Sequence, residues 1–335
     1  MGVAAPLRFP ARLREILRDG DTRIVVTGAG GWLGQATLEM LDDALGPDMP
    51  DRVRAYAATA RSYRLRSGRE VLLSALEDLG SLEPGSGSTT IAHYAFLTRE
   101  KAATMPAEAY VDANRRITWF MTEQAGRLGA RAAFSTSSGA VYRRDGTLET
   151  SLADNPYGSL KREEEEAFAI LADRTGTESI VCRLFNLSGP FLNKDYVLGS
   201  VLSDVLAGRT IRLRAAHRVV RSYVHVRDVV TVGFASMFGL LDAPREPFDT
   251  AGDESIEVGD LARRVRDVLG RPDLAIDRPP LGSNPADRYV GDGRPFRQML
   301  GQLGLAPTRL DDAIRDTAAY LASLGERSHR AEPSA

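Results

Sequence analysis

Apolar positions in this chain fall into short runs of strand length separated by stretches of helical period. Arg23-Ile24-Val25-Val26-Thr27 is a buried-strand pattern, followed by a glycine-rich turn and a helical stretch over 32–44. The alternation continues with strands at 52–59, 70–73 and 89–96, then a long helix over 105–128 with Pro106 near its start. A strand at 131–135, a helix from Asn155-Pro156 to about 172 and a strand at 179–185 complete the rhythm. Asn155 ahead of Pro156 is a helix-entry signal, because proline's fixed φ and missing N–H suit the first helical position. Strands alternating with helices predict an α/β fold built on a doubly wound parallel sheet.

Past Asn186 glycine and proline become denser and strands shorter. A helix at 228–241 and a strand at 248–251 return the chain to the sheet, whereas helices at 258–269 and 311–324 belong elsewhere. This gives a sheet domain over 21–185, rejoined by 226–251, and a smaller discontinuous α/β lobe over 186–225 and 252–326. Residues 1–20 read as an N-terminal amphipathic helix and 327–335 as a frayed polar tail. The segment 80–88 reads as a turn, not a linker.

Composition narrows the function classes. The chain has 335 residues, 43% of them hydrophobic, and a net charge of -2. That balance gives no broad attraction to nucleic acid or to an anionic membrane. No apolar run reaches the ~20 residues of a membrane span. Arg8, Arg12, Arg14 and Arg18 punctuate the N-terminus, which lacks the apolar stretch of a secretion signal; a membrane-surface helix is the alternative to one packed on the body. A lone cysteine, Cys182, rules out an internal disulfide framework and suits a reducing, cytoplasmic setting. The histidines, His93, His217, His225 and His329, have no metal-ligand spacing.

The turn Thr27-Gly28-Ala29-Gly30-Gly31-Trp32-Leu33-Gly34 joins a strand to a helix. In that context Gly28 permits the tight turn, Gly31 lets backbone N–H groups reach a pyrophosphate, and Gly34 lets helix and strand pack closely, as in a Rossmann dinucleotide site. A purely structural turn is the alternative. Dinucleotide folds commonly end the second strand in an acid that holds the ribose. Here Ala57-Ala58-Thr59-Ala60-Arg61-Ser62 carries none, and Arg61, Ser62 and Arg64 suit a 2′-phosphate. NADP is therefore favoured over NAD as cofactor.

Tyr157 and Lys161 stand four residues apart, on one face of a helix. A nearby cation eases ionisation of a phenol whose ordinary pKa is ~10, and a lysine there can also hold ribose hydroxyls. Upstream, Ser135, Thr136, Ser137 and Ser138 read as a hydroxyl-rich exit from the strand, where ligands of open α/β sheets bind. The alternatives are a surface pair and a self-capping turn.

These motifs together resemble the extended short-chain dehydrogenase/reductase family in its nucleotide-sugar epimerase/dehydratase branch. The resemblance runs from about Arg23 to Leu324. It includes the glycine turn, Ala92-His93-Tyr94-Ala95, Asn114, Ser137 to Tyr142, the Tyr157/Lys161 pair, Arg183 to Pro190 and Arg221 to Asp228. It implies Ser138, Tyr157 and Lys161 as catalytic residues. It places the cofactor against Gly28, Gly31, Trp32, Leu33, Gly34, Ala92, Tyr157 and Lys161, with Arg61 from the strand reading. It places a nucleotide-sugar substrate against Ser137, Ser138, Asn186 and Arg221, the last two on the diphosphate. It also implies a homodimer through the helices at 105–128 and 155–172, for which Ile117, Phe120, Met121, Phe168 and Leu171 are candidate contacts or, equally, core.

Departures matter too. Sugar 4,6-dehydratases of this branch carry an Asp-Glu pair where this chain has Gly139 and Ala140, so dehydration is not expected. Arg143 replaces a frequent glycine, Ala75 an aspartate near adenine, and a late substrate arginine is represented only by Arg278 or Arg288. The run Glu163 to Glu166 reads as a solvated helix face, Cys182 as an inert core thiol, and Arg212, Arg214 and Arg218 as solvated or as part of a diphosphate clamp. The expected activity is NAD(P)-dependent hydride transfer on a nucleotide sugar, by an epimerase or a ketoreductase. The alternatives are an NADPH-dependent reductase of a non-nucleotide ketone or alcohol and a non-catalytic dinucleotide-binding regulatory protein.

Overall fold

The computed structural model describes residues 5–192 and 196–330, with side chains described through 324. The outer ends of the expected N-terminal helix and tail, and the His329 side chain, lie outside the described residues. In chain order the elements are α1 (Ala11–Asp19), β1 (Arg23–Thr27), α2 (Trp32–Leu45), α3 (Met49–Arg52), β2 (Val53–Ala57), β3 (Arg61–Arg64) and β4 (Glu70–Ala75). There follow β5 (Thr89–His93), α4 (Arg99–Ala102), α5 (Ala107–Arg127), β6 (Ala130–Ser138), α6 (Pro156–Thr175) and β7 (Glu178–Leu184). The rest comprises β8 (Asn186–Ser188), α7 (Val197–Leu206), β9 (Ile211–Arg212), β10 (Val219–His225), α8 (Val226–Met237) and β11 (Phe248–Asp249), then β12 (Ser255–Glu257) and α9 (Val258–Val268). The last elements are β13 (Ile276–Asp277), β14 (Asp287–Tyr289), α10 (Arg294–Gln302) and α11 (Leu310–Arg330).

The chain divides into two compact units, residues 7–184 with 230–249, and residues 1–6, 185–229 and 250–335. The first holds an eight-stranded sheet ordered β11-β7-β6-β5-β1-β2-β4-β3. Its pairings are parallel except that of β3 with β4. The order reverses between β1 and β5, so the crevice for a ligand opens at the carboxyl ends of those strands. Thr27 and His93, their last residues, are register partners there. Val25, Ile91, Ala133 and Val181 from the strands pack with Met121 and Ala125 of α5, with Leu128 just past its end, and with Phe168 and Leu171 of α6. Each fully buried side chain of this size contributes ~1.5–3 kcal/mol.

Three expectations are corrected here. The N-terminal helix begins only after Pro10, which suits a helix entry but not a helix interior; Leu13 and Leu17, one turn apart, are its buried stripe. The helix expected over 311–324 continues to Arg330, through residues of good helix propensity such as Glu326 and Arg327. The expected frayed tail is therefore helical at its start. Residues 61–64, to which the sequence pattern assigned no element, form an additional antiparallel edge strand.

The second unit contains a small sheet in which β10 pairs with β8, β12 and β14, a two-stranded β9–β13 ladder, and helices α7, α9 and α11 packed on one another. Buried Asp228 accepts from the Thr308 backbone N–H at 2.7 Å and from its hydroxyl at 2.8 Å, which ties the start of α8 to the approach to α11.

Candidate active site

The glycine turn is built from close approaches. Gly28 has φ +66°, and a side chain there would strike the backbone of Tyr94 and Ala95; one at Gly34 would strike Gly28 and Ala29. The turn is pinned by Ala29 N–H to the Tyr56 carbonyl at 2.9 Å and by Gly31 N–H to the Gly28 carbonyl at 2.9 Å. Exposed Gly31 is the N-cap of α2 and supplies no side-chain cap, which suits the start of this helix to an anion. Ala92 is fully buried in β5, behind the crevice. These features fit a bound dinucleotide.

The β3–β4 hairpin lies against this turn. Tyr63 donates to Gln35 Oε1 at 2.8 Å, and Gln35 Nε2 donates to the Gly30 carbonyl at 2.8 Å. Arg66 grips buried Glu39 with two bonds of 2.5 Å, and Arg69 pairs with buried Asp42. The hairpin so held carries exposed Arg61, whose guanidinium occupies the space a side chain on Gly30 would fill. Ser62 is exposed beside it, and Arg64 is taken up by Glu70 at 2.6 Å.

The hydroxyl-rich segment is strand, not a turn. β6 continues through Ser138, pairing residue for residue with β7 up to Leu184, because the parallel ladder supplies partners for the whole run. Ser137 and Ser138 are buried. Ser138 Oγ accepts from the Ala140 N–H at 3.2 Å and shares a hydrogen bond with the Tyr157 phenol. Asn155 sets the start of α6: its side-chain Oδ1 accepts from Gly158 N–H at 3.0 Å, and its side-chain Nδ2 donates to the Ala140 carbonyl at 2.9 Å. A side chain at position 158 would collide with Ala140, so the glycine lets the helix seat against the serine segment. Tyr157 and Ser138 are thereby held together.

Burial pushes the Tyr157 phenol up to about 12; the Ser138 hydrogen bond pulls the other way, and the Glu164 carboxylate adds to the rise. Tyr157 is a phenol at neutral pH. Lys161 is buried, donating to the Thr136 carbonyl at 2.8 Å and to Glu164 Oε2 at 2.7 Å. The Phe96 ring lies 3.7 Å from its ammonium and meets Tyr157 edge-on at 5.9 Å. Asn114, fully buried, accepts from Leu97 N–H at 2.8 Å and so braces the loop that carries Phe96.

The glutamate run is not a uniformly solvated face. Glu163 and Glu166 pair with Arg115 and Arg162 near the surface, but Glu164 and Glu165 are buried. Each has a cationic partner brought by the fold: Lys161 for Glu164, and Arg183, at 2.8 and 2.6 Å, for Glu165. Arg183 also donates to the Tyr142 hydroxyl at 2.6 Å. Glu164 is the site residue that spacing alone missed. Its position three residues after Lys161, on the same face, was the available signal. Cys182 is buried, and burial pushes its thiol up.

In the second unit, Asn186 donates to the Ser222 carbonyl at 3.3 Å. Arg221 is engaged by Asp287, with its Nη2 2.7 Å from the carboxylate and Nη1 3.0 Å from the Asp287 carbonyl. Arg212 and Arg214 are exposed and line a cleft of about 520 Å³ with Val197, Ser200, Val219 and Arg278. Arg218 and Arg288 are exposed. Arg278 is committed to structure: it pairs with Glu257 at 2.7 and 2.9 Å and donates to the His217 carbonyl at 3.0 Å. Among the described residues no helix is long and apolar enough to cross a membrane.

The model of the NAD dependent epimerase/dehydratase family matches residues 24–237. A dTDP-4-dehydro-6-deoxy-D-allose reductase of Streptomyces bikiniensis is 26% identical over 271 residues, covering 75% of this chain and 82% of that protein. The UDP-N-acetylglucosamine 4-epimerase of Methanobrevibacter ruminantium M1, solved with UDP-N-acetylmuramic acid, superposes with a TM-score of 0.70 at 18% identity, over 91% of this chain and 99% of that one. A dTDP-glucose 4,6-dehydratase of Streptomyces venezuelae, solved with NAD and TYD, gives a TM-score of 0.70 at 18% identity, over 91% and 98%.

Proposed function

The chain belongs to the NAD dependent epimerase/dehydratase family, and on that footing we propose that it is an NADPH-dependent reductase of a nucleotide-linked keto sugar. The observation that carries this reading is the placement of Ser138, Tyr157 and Lys161 together in the unit that bears the glycine turn. The dinucleotide, when bound, supplies or accepts hydride. The residues of the chain handle the proton and the orientation. Ser138 and Tyr157 hydrogen-bond the substrate oxygen, and the phenol, protonated at neutral pH, donates its proton as that oxygen gains charge. Lys161, fixed by Thr136 and Glu164, holds ribose hydroxyls.

Arg61, above Gly30, favours NADP, because a guanidinium can bind a 2′-phosphate with two parallel hydrogen bonds. Gly139 and Ala140 offer no carboxyl group for dehydration. Asn186 and Arg221 hold the diphosphate, which must displace Asp287 from Arg221. The similarity to a dTDP-sugar reductase supports a nucleotide-sugar substrate. Calorimetry with a panel of TDP- and UDP-sugars tests this: Arg221→Ala should weaken binding about 10- to 100-fold, the loss of a contact worth ~1.5–3 kcal/mol, without changing cofactor affinity. If nucleoside diphosphates fail to bind the wild type at millimolar concentration, reduction of a non-nucleotide ketone takes its place.

A further inference from the structure

Glu164 sits at the centre of a buried polar chain. One carboxylate oxygen accepts a hydrogen bond from Lys161 Nζ at 2.7 Å, and the other lies 3.1 Å from His93 Nε2. The far ring nitrogen, His93 Nδ1, is 2.7 Å from the Thr27 hydroxyl. Thr27, His93, Glu164 and Lys161 are all no more than 5% exposed. With a proton on Nε2, His93 donates to Glu164, while Nδ1 meets the Thr27 hydroxyl. The chain thus runs from the residue before Gly28, at the end of β1, across the end of β5, to the helix that carries Tyr157. A buried ion pair is seldom a good source of stability, since apolar side chains of equal size do as well. Its presence beside Tyr157 therefore points to use.

We propose that Glu164 is a positioning residue: its carboxylate, anchored by His93, orients the Lys161 ammonium and offsets its positive charge, so that Tyr157 remains a proton donor. The inference rests on the roles given above to Tyr157 and Lys161. Lys161 has three N–H groups. Thr136 and Glu164 take two, and Phe96 roofs the ammonium, so its direction is fixed before any ligand arrives. The groups facing Glu164 are Lys161 on its own helix and His93 from β5, with Cys182 of β7 near Lys161. Those facing Tyr157 are Ser138 of β6, Arg99 and Glu100 of α4, Tyr110 of α5 and Glu164 itself. Burial opposes the charge on Glu164, but Lys161 and His93 outweigh it and hold the carboxyl below its usual range. Removing that negative charge makes the phenolate less costly, so Tyr157 should ionise at lower pH.

The test is a titration of the full chain labelled with carbon-13 at tyrosine Cζ, with the Tyr157 resonance assigned by its loss in Tyr157→Phe. In Glu164→Gln, Tyr157 should ionise about one unit lower than in wild type. In Glu164→Asp, which keeps the charge but shortens its reach, the titration should stay near wild type while the rate falls about tenfold or more. Superimposable Tyr157 curves for wild type and Glu164→Gln would overturn the proposal. If Glu164→Gln does not fold, wild-type turnover by Glu164→Asp overturns it instead. The titration reads Tyr157 whether or not it catalyses, so its outcome is separable from the activity of Tyr157→Phe.

Discussion

Tyr157 is held by neighbours rather than by its own helix alone. Asn155 seats the helix on the serine segment, Gly158 allows the approach, and Ser138 meets the hydroxyl. Tyr157→Phe should keep the fold and cofactor affinity while turnover falls about 10²–10⁴-fold; a variant with near wild-type turnover would remove Tyr157 from the chemistry. A second residue-scale expectation concerns Glu257. Burial opposes its charge, yet the Arg278 hydrogen bonds, with backbone donors from Val219 and Gly259, win and hold the carboxyl at about 2. An unfolded glutamate ionises near ~4.3. Because the folded value is depressed, this contribution is fully present above ~4.3 and is lost as pH falls toward 2. Thermal melts should therefore drop steeply across that window, and Arg278→Met should flatten the drop while costing ~1.5–3 kcal/mol at neutral pH. Melts of Arg278→Met with an unchanged acid limb would assign the pH dependence elsewhere.

At the scale of elements, the hairpin of β3 and β4 is fastened to α2. Its turn arginines, Arg66 and Arg69, clamp Glu39 and Asp42 of α2, and its first residue, Arg61, lies over Gly30 at the open end of the hairpin. Arg61→Ala should raise the NADP dissociation constant about 10- to 100-fold, from a charged contact of ~1.5–3 kcal/mol, and leave that for NAD nearly unchanged. Calorimetry showing no loss for either cofactor would make Arg61 a solvated side chain. The strands and helices that alternate in apolar period were legible in sequence, because each buries one face or both. The hairpin was not: Arg61-Ser62-Tyr63-Arg64 is polar and mostly exposed, so periodicity carries no signal. Nor was the buried half of Glu163 to Glu166. Glu165 draws its cation, Arg183, from β7 rather than from its own helix, and that pairing has no sequence spacing to reveal it. Ser138 was legible through its motif, although the strand containing it was drawn three residues short.

For the whole molecule, the helix residues named as dimer contacts or core take the core alternative. Met121, Phe168 and Leu171 are buried in the core of the sheet unit, and Ile117 and Phe120 pack against it, because the faces of α5 and α6 that carry them cover the sheet. The exposed apolar side chains of these helices are Trp119, at 65%, and Ile170, at 55%. We expect a homodimer that covers them, seen by light scattering at micromolar concentration, and a monomer after Trp119→Asp with Ile170→Asp. A monomeric wild type would leave both as isolated surface residues, which single apolar side chains often are. The most direct test of the functional reading is turnover. Wild-type protein is mixed with NADPH and a panel of TDP- and UDP-linked keto sugars, alongside the same sugars without the nucleotide, and the nicotinamide absorbance is followed. Stoichiometric oxidation with a nucleotide-linked ketone and none with the free sugar is the expected result. Oxidation by free ketones alone, or by no member of the panel, would contradict it.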